Sequence, residues 1–319
     1  MLYDTVHLKK QRRIFHMVVF IAFLVAVLFS LPSPVFSQIS LDDIKTGALP
    51  DSIVYKKTGD YELKLYVFFP DGFSPGDKRT GIIWIHGGGW RGGNPQMFFS
   101  HCRYYAARGA VGISVQYRLV RDNGPTVSDC IRDCKSAMRF IRGHAQALGI
   151  EPSRIAVMGD SAGGHLAACM GVMEGFNDIG DDTSVSAAAN AMVLYNPVVD
   201  LAIERWMPLF RPEGSSTVEE LARSASPINF IGSDEPPCMI LHGFSDTVVS
   251  AEQAIDFSRK MIESGNRCDL MLLGETGHAF VIPDYTAPED TVVRAIRAGD
   301  EFLVSLGLLD GRPSLNVSK

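Results

Sequence analysis

Gly159-Asp160-Ser161-Ala162-Gly163 sets a serine inside a glycine-flanked turn, after the apolar run Ile155–Met158 and before a run of small residues. A strand entering such a turn and a helix leaving it hold the serine on a strained bend with its hydroxyl exposed. The helix start also aims free N–H groups at anything bound to Ser161. With a base beside it, that hydroxyl can attack an acyl carbon. The pattern alone is weak in a chain with 30 glycines. Its weight comes from the strand before it and the helix after it.

A second stretch supplies what acyl transfer needs next. His86-Gly87-Gly88-Gly89-Trp90 follows the β-branched run Ile82–Ile85. Consecutive glycines let backbone N–H groups approach a substrate oxygen closely. The amides of Gly88 and Gly89, with that of Ala162, are the expected stabilisers of a tetrahedral oxyanion.

The acid and base should come later in the chain, in the order Ser, Asp, His. Asp246 stands in the loop after the apolar run Cys238–Leu241, and His278 in the loop after Cys268–Leu273. Both are therefore expected at the same carboxyl edge of a sheet as Ser161. His278 would take the serine proton and return it to the leaving group. Asp246 would hold the imidazole tautomer.

Other residues compete for these roles. His242 could reach the site but precedes the acid, and His165 lies one helical turn past Ser161. His86 is expected to brace the glycine loop, and His101 and His144 to lie on helix surfaces. Asp200 is the rival acid, following the run that ends at Tyr195. Asp160 is expected to make local hydrogen bonds rather than to catalyse. Trp90 and Trp206 could line an acyl or alcohol pocket, or simply fill core.

These residues need a scaffold, and the remaining pattern provides one. Ile53–Lys57 and Leu63–Phe69 flank Thr58-Gly59-Asp60 and read as a hairpin. Further strands are expected at Ile82–Ile85, Val111–Val115, Ile155–Met158, Met192–Tyr195, Cys238–Leu241 and Cys268–Leu273. Helices are expected at Pro95–Arg108, around Val127–Ile141, and at Ala162–Met173, Ala251–Glu263 and Glu289–Leu306. Eight strands with helices between the later ones predict an α/β fold, a mostly parallel sheet covered on both faces. Leu201 to Pro237 reads as a small insertion above the sheet edge near the site, and Gly307 to Lys319 as a loose tail.

At 319 residues with 46% hydrophobic composition, one α/β domain over residues 38–308 fits the chain, with a tail over 309–319. Residues 1–37 stand apart. Lys9, Lys10, Arg12 and Arg13 precede the apolar run Met17–Phe29, and Ser37 offers a small residue for cleavage. This predicts a signal peptide and an exported protein; a retained N-terminal anchor is the alternative. Without the leader the chain carries 26 Lys and Arg against 35 Asp and Glu. That acidic balance argues against nucleic acid as a partner. The six cysteines show no metal-ligand spacing, and Cys169, Cys238 and Cys268 lie in apolar runs. They are expected mostly as buried thiols.

Taken together, the chain resembles the α/β-hydrolase esterases with an HGGG oxyanion loop, in particular the bacterial acetyl-esterase and acetylxylan/feruloyl-esterase branch. HGGGWRGGN (His86–Asn94), the Gln116-Tyr117-Arg118-Leu119 strand end, GIEPSRIAVMGDSAGGHLAA (Gly149–Ala168), LHGFSD and GHAF carry the likeness, which runs from about Ile53 to Leu308. The resemblance implies the α/β-hydrolase fold, no cofactor, and hydrolysis of a small acyl ester or an acylated polysaccharide. Only 48 residues separate Gln38 from His86, leaving little room for the helical cap of the hormone-sensitive-lipase-like relatives. An open cleft is therefore expected, suited to acetyl or feruloyl groups on carbohydrate. A peptidase or amidase on the same scaffold would usually bring a large added domain. A non-catalytic binding protein would tend to have lost the serine or the histidine. A dehalogenase would need a carboxylate where Ser161 stands.

Overall fold

The computed structural model describes residues 39–40, 47, 49–203, 205–211 and 215–316. The leader read over residues 1–37 lies outside the described residues. A short strand β1 (Ile39–Ser40) pairs in parallel with β10 (Leu315–Asn316). The main sheet holds β2 (Asp51–Thr58), β3 (Tyr61–Phe68), β4 (Arg79–Ile85), β5 (Val111–Val115), β6 (Ile150–Asp160), β7 (Ala191–Tyr195), β8 (Cys238–Gly243) and β9 (Cys268–Leu273). Their spatial order is β2-β3-β5-β4-β6-β7-β8-β9. Only the β2–β3 and β3–β5 pairs are antiparallel. The fold is the eight-stranded, mostly parallel α/β-hydrolase sheet that the chain predicts.

Six α-helices complete the described chain: α1 (Phe99–Ala107), α2 (Val127–Gly143), α3 (Ala162–Val172), α4 (Val218–Ser224), α5 (Ala251–Glu263) and α6 (Glu289–Ser305). Side chains of a strand alternate between faces, so each central strand feeds two cores. Ile83, Ile85, Val157, Leu194 and Ile240 pack on one face with Ile131 of α2, Leu166 of α3 and Phe257 of α5. Ile82, Trp84, Met158, Val193 and Leu241 pack on the other with Tyr105 of α1 and Ile296 of α6. Burial on both faces is why these strands read as unbroken apolar runs.

Boundaries moved in three places. The segment Pro95–Arg108 is a 3-10 turn, Pro95–Phe98, capped by the Asn94 side chain, followed by α1. Strand β6 begins at Ile150, because Ile150 pairs with Arg79 before a bulge restores the register at Gly81 and Ile155. The expected loose tail is not loose through residue 316: Leu308, Leu309 and Leu315 are buried and the chain closes in β10.

Register decides what the sheet can position. Ile85 lies level with Gly159, Asp160 with Tyr195, and Gly243 with Leu273. The carboxyl ends of β4, β6, β7, β8 and β9 thus form one edge, and the loops leaving them meet there.

Candidate active site

Ser161 sits between β6 and α3 with φ 56° and ψ −119°, a backbone conformation few non-glycine residues adopt. Its N–H donates to Tyr195 O at 2.9 Å, tying the bend to β7. The turn closes so tightly that a Cβ on Gly163 would overlap the Ile85 carbonyl of β4. The serine is therefore held by backbone contacts from both neighbouring strands.

His278 Nε2 lies 2.8 Å from Ser161 Oγ, and its Nδ1 lies 2.7 Å from Asp246 Oδ2. An ionised carboxylate only accepts, so Nδ1 carries the hydrogen and Nε2 is left to accept from the serine hydroxyl. Asp246 Oδ1 accepts the N–H groups of Val248 and Val249 at 2.8 and 2.9 Å. Burial by itself would raise the Asp246 carboxyl. Hydrogen bonds from His242, His278 and the Val249 amide outweigh it and hold the group well below the usual carboxylate range. Asp246 therefore faces His278 as a fixed negative charge. A hydroxyl, an imidazole and a carboxylate touch in series, the arrangement that can pass a proton away from an attacking oxygen.

The glycine loop lies beside this series. The amides of Gly88 and Gly89 and that of Ala162 meet no protein acceptor among the described residues. His86 braces the loop from beneath. It stacks on Tyr117 with centroids 4.3 Å apart, and the Tyr117 hydroxyl donates to His86 O at 2.8 Å. Trp90 is fully buried and donates from Nε1 to His165 Nδ1 at 3.1 Å, which leaves His165 Nε2 to donate to Ala225 O at 2.8 Å. Trp206 meets Trp90 edge to face at 5.7 Å. The 201–237 segment thus leans on the glycine loop through Trp206 and on α3 through Ala225.

The rivals separate clearly. Asp200 accepts from Ala202 N and Ser226 Oγ, and no bond joins it to His278. His242 does reach the acid, with Nε2 3.4 Å from Asp246 Oδ2, but bonds to Val249 O rather than to the serine. His144 is exposed, as expected. His101 is not on a surface. It is wholly buried against Trp84, with its Nε2 3.0 Å from Val281 O, an ordinary hydrogen-bond distance. Burial lowers its pKa to about 3, and lowers those of His86 and His165 to about 4. All six cysteines are buried free thiols.

Sequence reasoning missed Asn196. Directly past β7 and fully buried, it bonds both to Asp160 and to the backbone next to His278. Its only advance signal is its position one residue beyond a strand end. The side-chain links of the Val248 and Val249 amides to Asp246 were missed as well, because backbone donors leave no trace in residue type.

Fold and site define an α/β-hydrolase of the serine-esterase class. The BD-FAE family model matches residues 74–261, more than half the chain, and the chain belongs to that family. Among solved structures it is similar to esterase 2 of Thermogutta terrifontis, at 35% identity and a TM-score of 0.77 over 82% of this chain and 97% of that one. The same esterase has been solved phosphorylated by paraoxon. Among curated proteins it is similar to esterase LipC of Mycobacterium tuberculosis, 28% identical over 64% of this chain and 53% of LipC. It is also similar to the probable carboxylic ester hydrolase LipM of the same organism, 31% identical over 55% of this chain and 43% of LipM. The chain spans about half the length of these curated relatives.

Proposed function

We propose that the protein is an exported serine carboxylesterase that removes short acyl groups, acetyl or feruloyl, from carbohydrate. One observation carries the reading: the unbroken contact series from Ser161 Oγ through both nitrogens of His278 to Asp246. In this reading Ser161 Oγ bonds to the acyl carbon as its proton passes to His278 Nε2. The carbonyl electron pair moves onto oxygen, where the amides of Gly88, Gly89 and Ala162 stabilise it. The intermediate collapses, the bond to the alcohol oxygen breaks, and His278 gives its proton to that oxygen. Water then repeats the sequence on the acyl-enzyme, releasing the carboxylic acid and restoring the serine.

The carbohydrate assignment draws support from the short path to the glycine loop. Strands β2 and β3 occupy many of the described residues ahead of His86, which favours a small acyl group over a long lipid chain. The basic and apolar residues of the 1–37 stretch support export.

The test uses protein lacking residues 1–37. It should cleave p-nitrophenyl acetate much faster than the palmitate ester, and Ser161→Ala should abolish turnover without changing the circular dichroism. Full activity in that variant would end the nucleophile assignment. Acetate release from acetylated xylan, compared with ferulate release from feruloylated arabinoxylan, tests the substrate; release from neither would remove the carbohydrate claim alone. The mature N-terminus, read by mass spectrometry, separates cleavage after Ser37 from a retained anchor.

A further inference from the structure

Asn196 joins the two loops that must meet for chemistry. Its Nδ2 donates to Asp160 Oδ1 at 2.9 Å, and its Oδ1 accepts the N–H of Ala279 at 3.1 Å. Asp160 is the residue before Ser161, and Ala279 is the residue after His278. The amide orientation follows from its partners, since a backbone N–H can only donate and so must face the oxygen. Asn196 itself is held by its own backbone and by burial. Its N–H donates to Leu241 O at 2.8 Å, its φ is +36°, and no part of it is exposed. Ala279 is likewise held at φ +58°.

No other described side chain makes a hydrogen bond to both of these loops at residues adjoining Ser161 and His278. Ser161 is anchored to β7 by its own backbone bond to Tyr195. The His278 loop leaves β9, two strands further along the sheet, and its own links there are to β8-side residues: Asp246 through His278, and Ser245 N to Thr276 O at 3.1 Å. Without a tie back to β6, the 2.8 Å distance between Ser161 Oγ and His278 Nε2 would rest on the sheet register and the hydroxyl bond, with no side chain bracing one loop against the other.

We infer that Asn196 is a positioning residue, a two-ended brace that sets the separation of Ser161 and His278 through Asp160 and Ala279. The inference rests on the serine-esterase reading for its kinetic test, but the brace can also be read without a substrate.

In Asn196→Ala both bonds are lost. The kcat for p-nitrophenyl acetate should fall about 10–100-fold, in keeping with the sensitivity of such reactions to misplacements of about 1 Å. KM should stay within about threefold, because the acyl site is untouched. Asn196→Asp keeps an acceptor for Ala279 but sets a second carboxyl against Asp160, and should also lose activity. Adding Asp160→Asn restores the pattern in reverse, with the carboxylate at 196 accepting both bonds. That swapped pair should return kcat to within about threefold of wild type, a recovery that general loosening of the fold would not give. The His278 Nδ1–H resonance, read by proton NMR at low field, should be present in the wild type and the swap, and broadened or lost in the single variants.

A kcat for Asn196→Ala within twofold of wild type would overturn the brace. So would a swap no better than Asn196→Asp alone, which decides the matter even if the alanine variant does not fold. If the wild type hydrolyses no ester, the esterase reading fails, and an NMR signal unchanged by Asn196→Asp would separately reject the brace.

Discussion

His242 Nε2 lies 3.4 Å from the same Asp246 Oδ2 that accepts from His278 at 2.7 Å. One carboxylate oxygen therefore faces two imidazoles, and a third and fourth donor reach the other oxygen from the Val248 and Val249 amides. That density of donors is what keeps a buried acid ionised.

Replacing Asp246 by Asn removes the charge and offers Nδ1 the wrong partner. In the Ser-His-Asp template such a change costs about 10⁴ in kcat, and Asp246→Asn should lose activity on the order of 10³–10⁴-fold. Asp200→Asn should stay within about threefold. Parallel kcat measurements on the two variants check the assignment of the acid.

Gly88 and Gly89, the glycines proposed to hold the oxyanion, should answer differently to the same substitution. Gly88 has φ +109°, and a Cβ there would overlap the Gly92 carbonyl. Gly88→Ala must therefore move the loop and its amides, and should cut kcat by about 100-fold or more. Gly89 has φ +60° with open space around a Cβ. Gly89→Ala should cost about 1–2 kcal/mol of stability and keep most of the activity. Kinetics and urea midpoints on both variants separate the cases.

Acid should weaken the fold through its buried histidines. His101 titrates at about 3 and His86 and His165 at about 4, below the ordinary value near 6.5 in the unfolded chain. In that window the unfolded chain binds more protons, so stability is complete above pH 6.5 and is lost as pH falls toward 4. At pH 5 each such histidine costs about 2 kcal/mol. The raised carboxyl of Asp160, brought to about 6 by burial, acts in the opposite sense. His101→Phe should therefore shrink the difference in urea midpoint between pH 7 and pH 5, whatever its effect on packing at either pH.

A second buried charge is purely structural. Arg108 donates to both oxygens of Asp300 at 2.7 and 2.9 Å, and Tyr104 adds a third bond, with both ends of the ion pair buried. Asp300→Ala should lower stability by about 3–5 kcal/mol, because it strands a guanidinium in the core. The kcat of the folded fraction should not change, since Asp300 sits on α6 against α1 and away from the loops that carry Ser161, Asp246 and His278.

The series Ser161, His278 and Asp246 was legible as a juxtaposition because each residue lies in a short run of glycines and polar residues right after an apolar strand. Strand ends and loop chemistry are what a linear pattern records well. Burial on one side of a short helix is recorded poorly. His101 read as surface because α1 carries polar and apolar residues on all sides, and only the packing of Trp84, Phe98 and Tyr105 shows which side turns inward. Asn196 was invisible for another reason. Its function lies in two partners 36 and 83 residues away in the chain, and no local motif encodes such a meeting. The Gly307–Asn316 segment misled because its turn residues hide three leucines that find the core.

Because Ile39 runs alongside Leu315, the first and last described strands lie side by side. The nearby turn at 307–308 touches Thr80 and Arg154, near the amino-terminal ends of β4 and β6 rather than at the rim that holds Ser161. A short peptide from Asn316 to Ile39 could therefore stitch these two strands into a ring, and the ring could be cut open elsewhere, at an exposed turn such as Gly180, with the reacting groups left in place.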